Sequence, residues 1–117
     1  MKERVKQLFQ AIDRKDADSF VSFLTPDASF RFANAPVVRN KEDILHAVGS
    51  FLASIKSLRH LIKDIWEQGD VIICEGEVRY TRLNGSELTL PFVDILRIKG
   101  DLVDDYRVYI DISPLSS

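Results

Sequence analysis

The chain has 117 residues, of which 45% are hydrophobic and 29% are charged, a balance typical of one compact globular domain rather than of a disordered chain. Its sixteen Lys and Arg nearly balance eighteen Asp and Glu, for a net charge of -2, so no nucleic-acid partner is indicated. Cys74 is the only cysteine, and no segment has the length of a membrane span or the pattern of a signal peptide, so we expect one cytoplasmic domain over residues 1–117 with no disulfide and no membrane partner.

Three amphipathic helices are predicted in the first half of the chain. Apolar residues at helical spacing predict the first over residues 2–14. Asp16 is placed to cap a short second helix, which is expected to end at residues 25–27. Asn40 is placed to cap a third helix that runs to about residue 55. All three have an apolar face that must be buried against another element.

Strands are predicted in the remainder of the chain. A short one is expected at residues 29–33, before the third helix. In the second half, alternating polarity and β-branched residues predict strands at residues 57–67, 71–82, 87–98 and 102–112. The pair Asn84-Gly85 between two of these strands is a hairpin signal and indicates an antiparallel meander. The predicted fold class is α+β, with three N-terminal helices packed on one face of a curved antiparallel sheet.

Three segments resemble the nuclear transport factor 2-like superfamily, which has a cystatin-like fold. They are Asp16-Ala17-Asp18-Ser19-Phe20, Pro91-Phe92-Val93-Asp94-Ile95-Leu96-Arg97 and Tyr106-Arg107-Val108-Tyr109-Ile110-Asp111. The order of elements also matches over nearly the whole chain, and the SnoaL-like polyketide cyclase and ketosteroid isomerase branch is the most similar. The resemblance implies a cone with an internal pocket for a small hydrophobic molecule, and a homodimer through the outer face of the sheet. It leaves the chemistry open, because this fold hosts isomerases, hydratases, epoxide hydrolases, cyclases and non-catalytic carriers.

The ketosteroid isomerase residues do not carry over as a set. The resemblance places the general base on Phe32 and the oxyanion-hole tyrosine on Leu8, which lack the proton-accepting and proton-donating groups required. Steroid isomerisation by that constellation is therefore excluded. The oxyanion-hole aspartate falls on Asp94, in a matching Pro-x-x-Asp context, and in ketosteroid isomerase an apolar site keeps that acid neutral so that it donates a hydrogen bond. Val108 stands where the epoxide hydrolase branch would have an aspartate.

Asp94 is the first candidate catalytic residue. Strand alternation places its carboxyl on the same apolar face as Phe92 and Leu96, where burial would raise its pKa toward neutrality. Such a group can serve as a general acid or base, or as a hydrogen-bond donor. The alternative is a structural ion pair with an arginine such as Arg79 or Arg97.

His60 and Tyr106 are the other candidate catalytic residues. His60 alternates with Leu58 and Ile62, so it is expected to point into the pocket as the acid–base partner of Asp94. Tyr106 is expected to point inward from the last strand as a positioning group. The alternative for His60 is a satisfied core or pocket-lining histidine without catalytic function.

The remaining inward-facing residues predict an apolar pocket wall. The substrate-binding candidates are Phe30, Phe32, Trp66, Tyr80, Phe92, Leu96 and Val108. Because successive residues of a strand point to opposite faces, Arg107, Tyr109 and Asp111 are expected on the outer face of the sheet. Two distant histidines and one cysteine offer no zinc spacing, and no phosphate-binding glycine loop is present, so neither a metal nor a cofactor is expected.

Two functions follow from these residues. The first is a pocket protein that catalyses cofactor-independent proton transfer, of isomerase, cyclase or hydratase type, on a small hydrophobic or carbonyl-bearing molecule. Such a site needs an open cavity of about 300 Å³ or more. The second is a non-catalytic binding or dimerisation module of the same fold, in which the phenylalanines fill the interior.

Overall fold

The computed structural model of the protein describes residues 1–116, which form three helices and six strands. The helices are α1 (Lys2–Asp13), α2 (Ala17–Val21) and α3 (Lys41–Ala53). The strands are β1 (Leu24–Phe32), β2 (Val38–Arg39), β3 (Ser57–Gln68), β4 (Val71–Thr81), β5 (Glu87–Lys99) and β6 (Leu102–Tyr109). A 3-10 turn at Ser113–Ser116 follows the last strand.

All six strands belong to one sheet, in the order β2-β1-β6-β5-β4-β3. The antiparallel meander of β3 to β6 is confirmed. The expectation of a purely antiparallel sheet is wrong at one place, because β1 pairs with β6 in parallel. The periodicity of a strand shows which face is buried, but not which strand lies beside it.

Element boundaries differ from the prediction at the junction of α2 with β1 and at the end of β6. The second helix ends at Val21, and residues 25–27, expected to end it, belong to β1. Pro26 is tolerated there because the pairing of β1 with β6 is irregular between Leu24 and Ser29. The last strand ends at Tyr109 rather than at residue 112, and the two-residue strand β2 was not predicted.

The helices cover the concave face of the sheet and bury their apolar stripes against it. The buried residues include Val5, Leu8 and Phe9 of α1, Ile44, Val48 and Leu52 of α3, and Ile72, Val78 and Leu96 of the sheet. Burial of this apolar surface is the main favourable term in folding. No helix within residues 1–116 is long and apolar enough to cross a membrane.

A β-bulge in β3 changes which of its residues face inward. The pairing with β4 shifts between Ile62 and Asp64, so one extra residue reverses the alternation beyond this point. Trp66 consequently lies on the outer face with 49% of its surface exposed, and its prediction as a pocket residue is wrong. Gly76 lies opposite the bulge, and a Cβ there would collide with the carbonyl oxygen of Leu61.

Candidate active site

A cavity of about 200 Å³ lies between the concave face of the sheet and the helices. Twenty residues line it: Ile12, Phe20, Phe30, Phe32, Ala35, Pro36, Val38, Ala47, Val48, Phe51, Leu52, Leu58, His60, Val78, Tyr80, Phe92, Asp94, Tyr106, Val108 and Ile110. The phenylalanines therefore narrow the cone without filling it. The volume is smaller than the roughly 300 Å³ expected of a catalytic pocket, so cavity size taken alone favours the non-catalytic module.

Burial distinguishes the floor of the cavity from its mouth. Phe20, Asp94 and Tyr106 lie at the floor and are almost completely buried. Ala35 and Pro36, in the loop between β1 and β2, are exposed and form the rim. A ligand that enters past this loop meets the carboxyl group last.

Asp94 and Tyr106 form a hydrogen-bonded pair at the floor. The Tyr106 hydroxyl donates to Asp94 Oδ2 over 2.6 Å, while Asp94 Oδ1 is buried without a hydrogen-bond partner in the part of the chain described. Desolvation raises the pKa of Asp94 to about 7, against the opposing effect of the Tyr106 hydrogen bond. The alternative pairing of Asp94 with Arg79 or Arg97 is wrong, since both arginines are exposed.

Tyr80 is a third polar group on the cavity wall. Its side chain is buried, and burial together with the nearby Asp94 raises its pKa above the ordinary value. Within residues 1–116, its hydroxyl makes no hydrogen bond. Cys74 lies under the same wall, where burial first and Asp94 second raise its pKa to about 12, so it remains a neutral thiol.

His60 is oriented by Asp13, the last residue of α1. The His60 Nδ1 atom lies 2.7 Å from Asp13 Oδ1, and the backbone N–H of His60 donates to both carboxylate oxygens, over 3.2 and 3.0 Å. The imidazole packs between Phe9 and Phe92, with ring centroids 4.8 and 5.2 Å away. Because an ionised carboxylate can only accept, Nδ1 is the donor in this hydrogen bond, and in the neutral imidazole Nε2 keeps a free lone pair.

The expected direct pairing of His60 with Asp94 is wrong. His60 lies opposite Val78 on β4, whereas Asp94 lies opposite Cys74 on the same strand. This difference of four residues corresponds to roughly 13 Å along the strand. The two side chains line the same cavity at different depths, and each has a different partner.

The sequence profile of SnoaL-like domains matches residues 5–106. The chain belongs to the SnoaL-like domain family. A search of curated proteins finds no match to this SnoaL-like domain. Its relatives are therefore recognised from the family profile and from solved structures.

Solved structures with the same fold have low sequence identity to this SnoaL-like domain. An NTF2-like protein of unknown function from Burkholderia pseudomallei K96243 superposes with a TM-score of 0.88 at 19% identity, over 97% of this chain and 92% of the other. A putative SnoaL-like polyketide cyclase from Jannaschia sp. CCS1 gives 0.85 at 15%, over 97% and 87%. The epoxide hydrolase/cyclase-like enzyme SalBIII, of pyran ring formation in the polyether salinomycin, gives 0.83 at 16%, over 96% and 91%. These likenesses establish the fold.

Most of the predicted pocket residues lie where the sequence indicated. Phe30, Phe32, Tyr80, Phe92 and Val108 line the cavity of the SnoaL-like domain, together with the three catalytic candidates. Leu96 does not line it; it is fully buried in the core beside its cross-strand partner Tyr106. Trp66, as described above, faces outward.

Asp13 is the site residue that the sequence reasoning missed. It follows Phe9 by four residues, so it lies on the buried side of α1, and it is part-buried beside His60. A carboxylate in line with an apolar helical stripe was the available signal. Its recognition would have required the long-range partner, which is 47 residues away in the chain.

The arrangement provides two separate proton-handling groups in an apolar cavity. One is an imidazole with a free Nε2, held by a carboxylate; the other is a buried carboxyl with a free Oδ1, held by a tyrosine. A base and a hydrogen-bond donor on the walls of one cavity can act on two atoms of the same bound molecule.

Proposed function

We propose that this SnoaL-like domain binds a small hydrophobic carbonyl compound and catalyses cofactor-independent proton transfer on it, as an isomerase, cyclase or hydratase does. The observation that carries this proposal is that His60 and Asp94 line one apolar cavity, while His60 Nε2 and Asp94 Oδ1 have no protein partners within residues 1–116. Cyclase and cyclase-like enzymes among the structures of the same fold support chemistry of this class.

His60 acts as the general base. Its Nε2 takes a proton from the carbon next to the ligand carbonyl, so the C–H bond breaks and its electron pair moves to give an enolate oxygen. Asp13, bonded to Nδ1, fixes the tautomer and stabilises the imidazolium that forms. The imidazolium returns the proton to a different atom of the ligand or to the same carbon, which completes the cycle without a cofactor.

Asp94 stabilises the developing oxygen charge. With its pKa raised to about 7, a large fraction of the carboxyl is protonated at neutral pH and donates a hydrogen bond from Oδ1. Tyr106 holds the other oxygen and so fixes the direction of that donor. A preorganised donor in an apolar site stabilises an oxyanion more than water would.

Exchange of ligand hydrogens with deuterated water tests this proposal. A series of ketones of increasing size would be incubated with the protein, and loss of the α-hydrogen signals followed by proton NMR. We expect protein-dependent exchange for at least one ketone, with strong loss in His60→Asn and none in His46→Asn, since His46 is exposed on α3. Equal exchange in both variants would remove His60 from the mechanism.

The narrow, aromatic interior favours a second function, a binding module without chemistry. Phe32 and Phe51 pack with tilted rings whose centroids are 4.8 Å apart, and they reduce the space available for a reacting ligand. In this case ketones bind and no α-hydrogen exchanges at any protein concentration. The same NMR experiment therefore separates the two functions.

We also propose that the chain is a single cytoplasmic domain and that it forms a homodimer through the outer face of the sheet. Trp66, Ile73 and Ile95 lie side by side across β3, β4 and β5, and Tyr109 is close by on β6. Trp66 and Tyr109 are about half exposed. An aromatic and aliphatic patch on one sheet face has the composition of an interface core.

A further inference from the structure

Three aromatic side chains form a continuous contact across the cavity. The ring of Phe51 on α3 lies 4.8 Å from the ring of Phe32 on β1 and 5.8 Å from the ring of Tyr80 on β4, measured between centroids. All three residues line the cavity, and we call them the aromatic bar. In the sheet, β6 and β5 separate β1 from β4, which would place β1 and β4 roughly 14 Å apart in a flat sheet. Phe51 therefore connects two distant parts of the curved wall.

The aromatic bar lies just inside the rim of the cavity. Ala35 of the rim loop donates its backbone N–H to the carbonyl oxygen of Phe32 over 3.1 Å, so Phe32 follows directly below the loop. Phe32 and Phe51 are half-buried, whereas Tyr80 is buried. A molecule that passes the rim therefore meets the rings of Phe32 and Phe51 before it reaches the floor.

The Phe51 ring is held by aromatic rings on two sides. Tyr80 meets it edge-on, at an interplanar angle of 83°, and Phe32 meets it at 49°. Edge-to-face and tilted contacts of this kind are favourable beyond the burial of apolar area. A ligand that needs the space of the Phe51 ring must break both contacts, so the bar opposes wide molecules.

Phe51 is the member of the bar that controls how much space is open. It contacts both other rings, so removal of its phenyl group leaves Phe32 and Tyr80 apart on the sheet. Ala47 lies one helical turn earlier on the same face of α3, and it lines the cavity with only a methyl group. Loss of the Phe51 ring would therefore join its volume to the space beside Ala47.

We propose that Phe51 determines the size of the ligand, by restricting the cavity to molecules of one or two fused rings. The volume of about 200 Å³ agrees with this limit, since an apolar cavity of about 150 Å³ in another protein holds benzene. The inference rests on the proposed function only in taking this cavity as the ligand site. It adds a specificity-determining residue that is separate from His60 and Asp94.

Two uncharged fluorescent hydrocarbons of different size test this role. Naphthalene has two fused rings and pyrene has four, and neither needs a polar group on the wall. Titration of each with protein, followed by its fluorescence, gives its association constant for wild type and for Phe51→Ala. The ratio of the pyrene constant to the naphthalene constant should rise at least about tenfold in Phe51→Ala, because pyrene fills the space that the ring vacates. An unchanged ratio would overturn the inference.

Phe23→Ala is the matched control. Phe23 is also a half-buried phenylalanine, but it packs against Arg4, whose guanidinium lies 5.1 Å from the ring centroid, and it does not line the cavity. Phe23→Ala should keep the ratio within about twofold of the wild-type value. An equal rise in both variants would show that pyrene binds to any loosened core, and the role of Phe51 would be wrong.

Competition between the two hydrocarbons locates the binding. Excess naphthalene should displace pyrene from Phe51→Ala, since both occupy one cavity. Pyrene that stays bound lies elsewhere on the protein, which would also overturn the inference. Phe51→Leu keeps an apolar side chain and takes the place of Phe51→Ala if that variant does not fold; its ratio should rise at least about threefold.

Ligand size and catalysis fail separately. If the ratio rises in Phe51→Ala but no ketone exchanges its α-hydrogens with deuterated water, Phe51 sets ligand size and the proposed catalysis is wrong. If ketones exchange in a His60-dependent manner while the ratio is the same in Phe51→Ala and wild type, the catalysis stands and the role of Phe51 is wrong.

Discussion

The Tyr106 hydroxyl and Asp94 Oδ2 are 2.6 Å apart at the floor of the cavity, and this is the hydrogen bond that holds the buried carboxyl. A single neutral donor does not compensate an ionised carboxylate for the water it has lost. The pair is therefore arranged for a protonated Asp94 that keeps one oxygen for a ligand. The stability and activity predictions below depend on this arrangement.

The first prediction concerns stability as a function of pH. Desolvation raises the pKa of Asp94 from 3.8 to about 7, so between these values the folded protein binds a proton that the unfolded chain has released. Stability from this group is present below pH 3.8 and is lost as pH rises toward 7.

Denaturant unfolding of wild type and Asp94→Asn from pH 4 to pH 8 measures this effect. Asparagine can still accept from Tyr106 but does not ionise, so the free energy of unfolding of wild type should fall relative to the variant by on the order of 4 kcal/mol. Asp64→Asn, on the exposed side of β3, is the control and should show no such trend. If the difference in the free energy of unfolding between wild type and Asp94→Asn does not vary with pH, Asp94 ionises normally.

The second prediction concerns the tautomer of His60. Since Asp13 accepts from Nδ1, neutral His60 should carry its proton on Nδ1, whereas an exposed imidazole such as that of His46 has no such constraint. Long-range nitrogen–proton NMR spectra of the two imidazoles distinguish the tautomers directly. In Asp13→Ala the Nδ1-protonated form of His60 should lose its dominance. An Nε2-protonated His60 in the wild type would contradict the assigned role of Asp13.

The third prediction concerns two glycines in different settings. Gly76 lies opposite the bulge in β3, and Gly49 lies within α3. A Cβ at Gly76 would meet the backbone of β3 next to the bulge, so Gly76→Ala should destabilise the protein by about 3 kcal/mol. Gly49 lies within α3 with nothing within 4 Å of such a Cβ, and Gly49→Ala should stabilise by about 0.5–1 kcal/mol. Thermal unfolding of both variants checks the signs. Equal changes in stability in Gly76→Ala and Gly49→Ala would mean that β3 and β4 adjust freely at the bulge.

The fourth prediction concerns the outer face of the sheet. In light scattering coupled to size exclusion, wild type should have twice the chain mass of 13.4 kDa. Trp66→Glu should shift it to the monomer, because a charge would be buried at the centre of the interface. Leu83→Glu changes a more exposed apolar residue in the β4–β5 hairpin and should leave the dimer intact. A monomeric wild type would exclude the proposed interface.

The sequence predicted the parts of the fold that depend on local periodicity. The helices, the caps at Asp16 and Asn40, and the β3–β6 meander follow from spacing and turn residues, and Asp94 was recognised as a carboxyl on an apolar face. The parallel β1–β6 pair and the bulge that turns Trp66 outward follow from tertiary pairing, which periodicity does not contain. The partner of His60 was likewise missed, because Asp13 is brought to it only by the packing of α1 on β3.

The rate of α-hydrogen exchange of acetophenone shows whether His60 and Asp94 act together on one bound ketone. Wild type, His60→Asn, Asp94→Leu and the double variant would be compared at neutral pH after each has been shown to be folded. We expect a loss of at least ~100-fold in each single variant and little further loss in the double variant, because base and donor serve the same step. Exchange that continues at the wild-type rate in both single variants would contradict it.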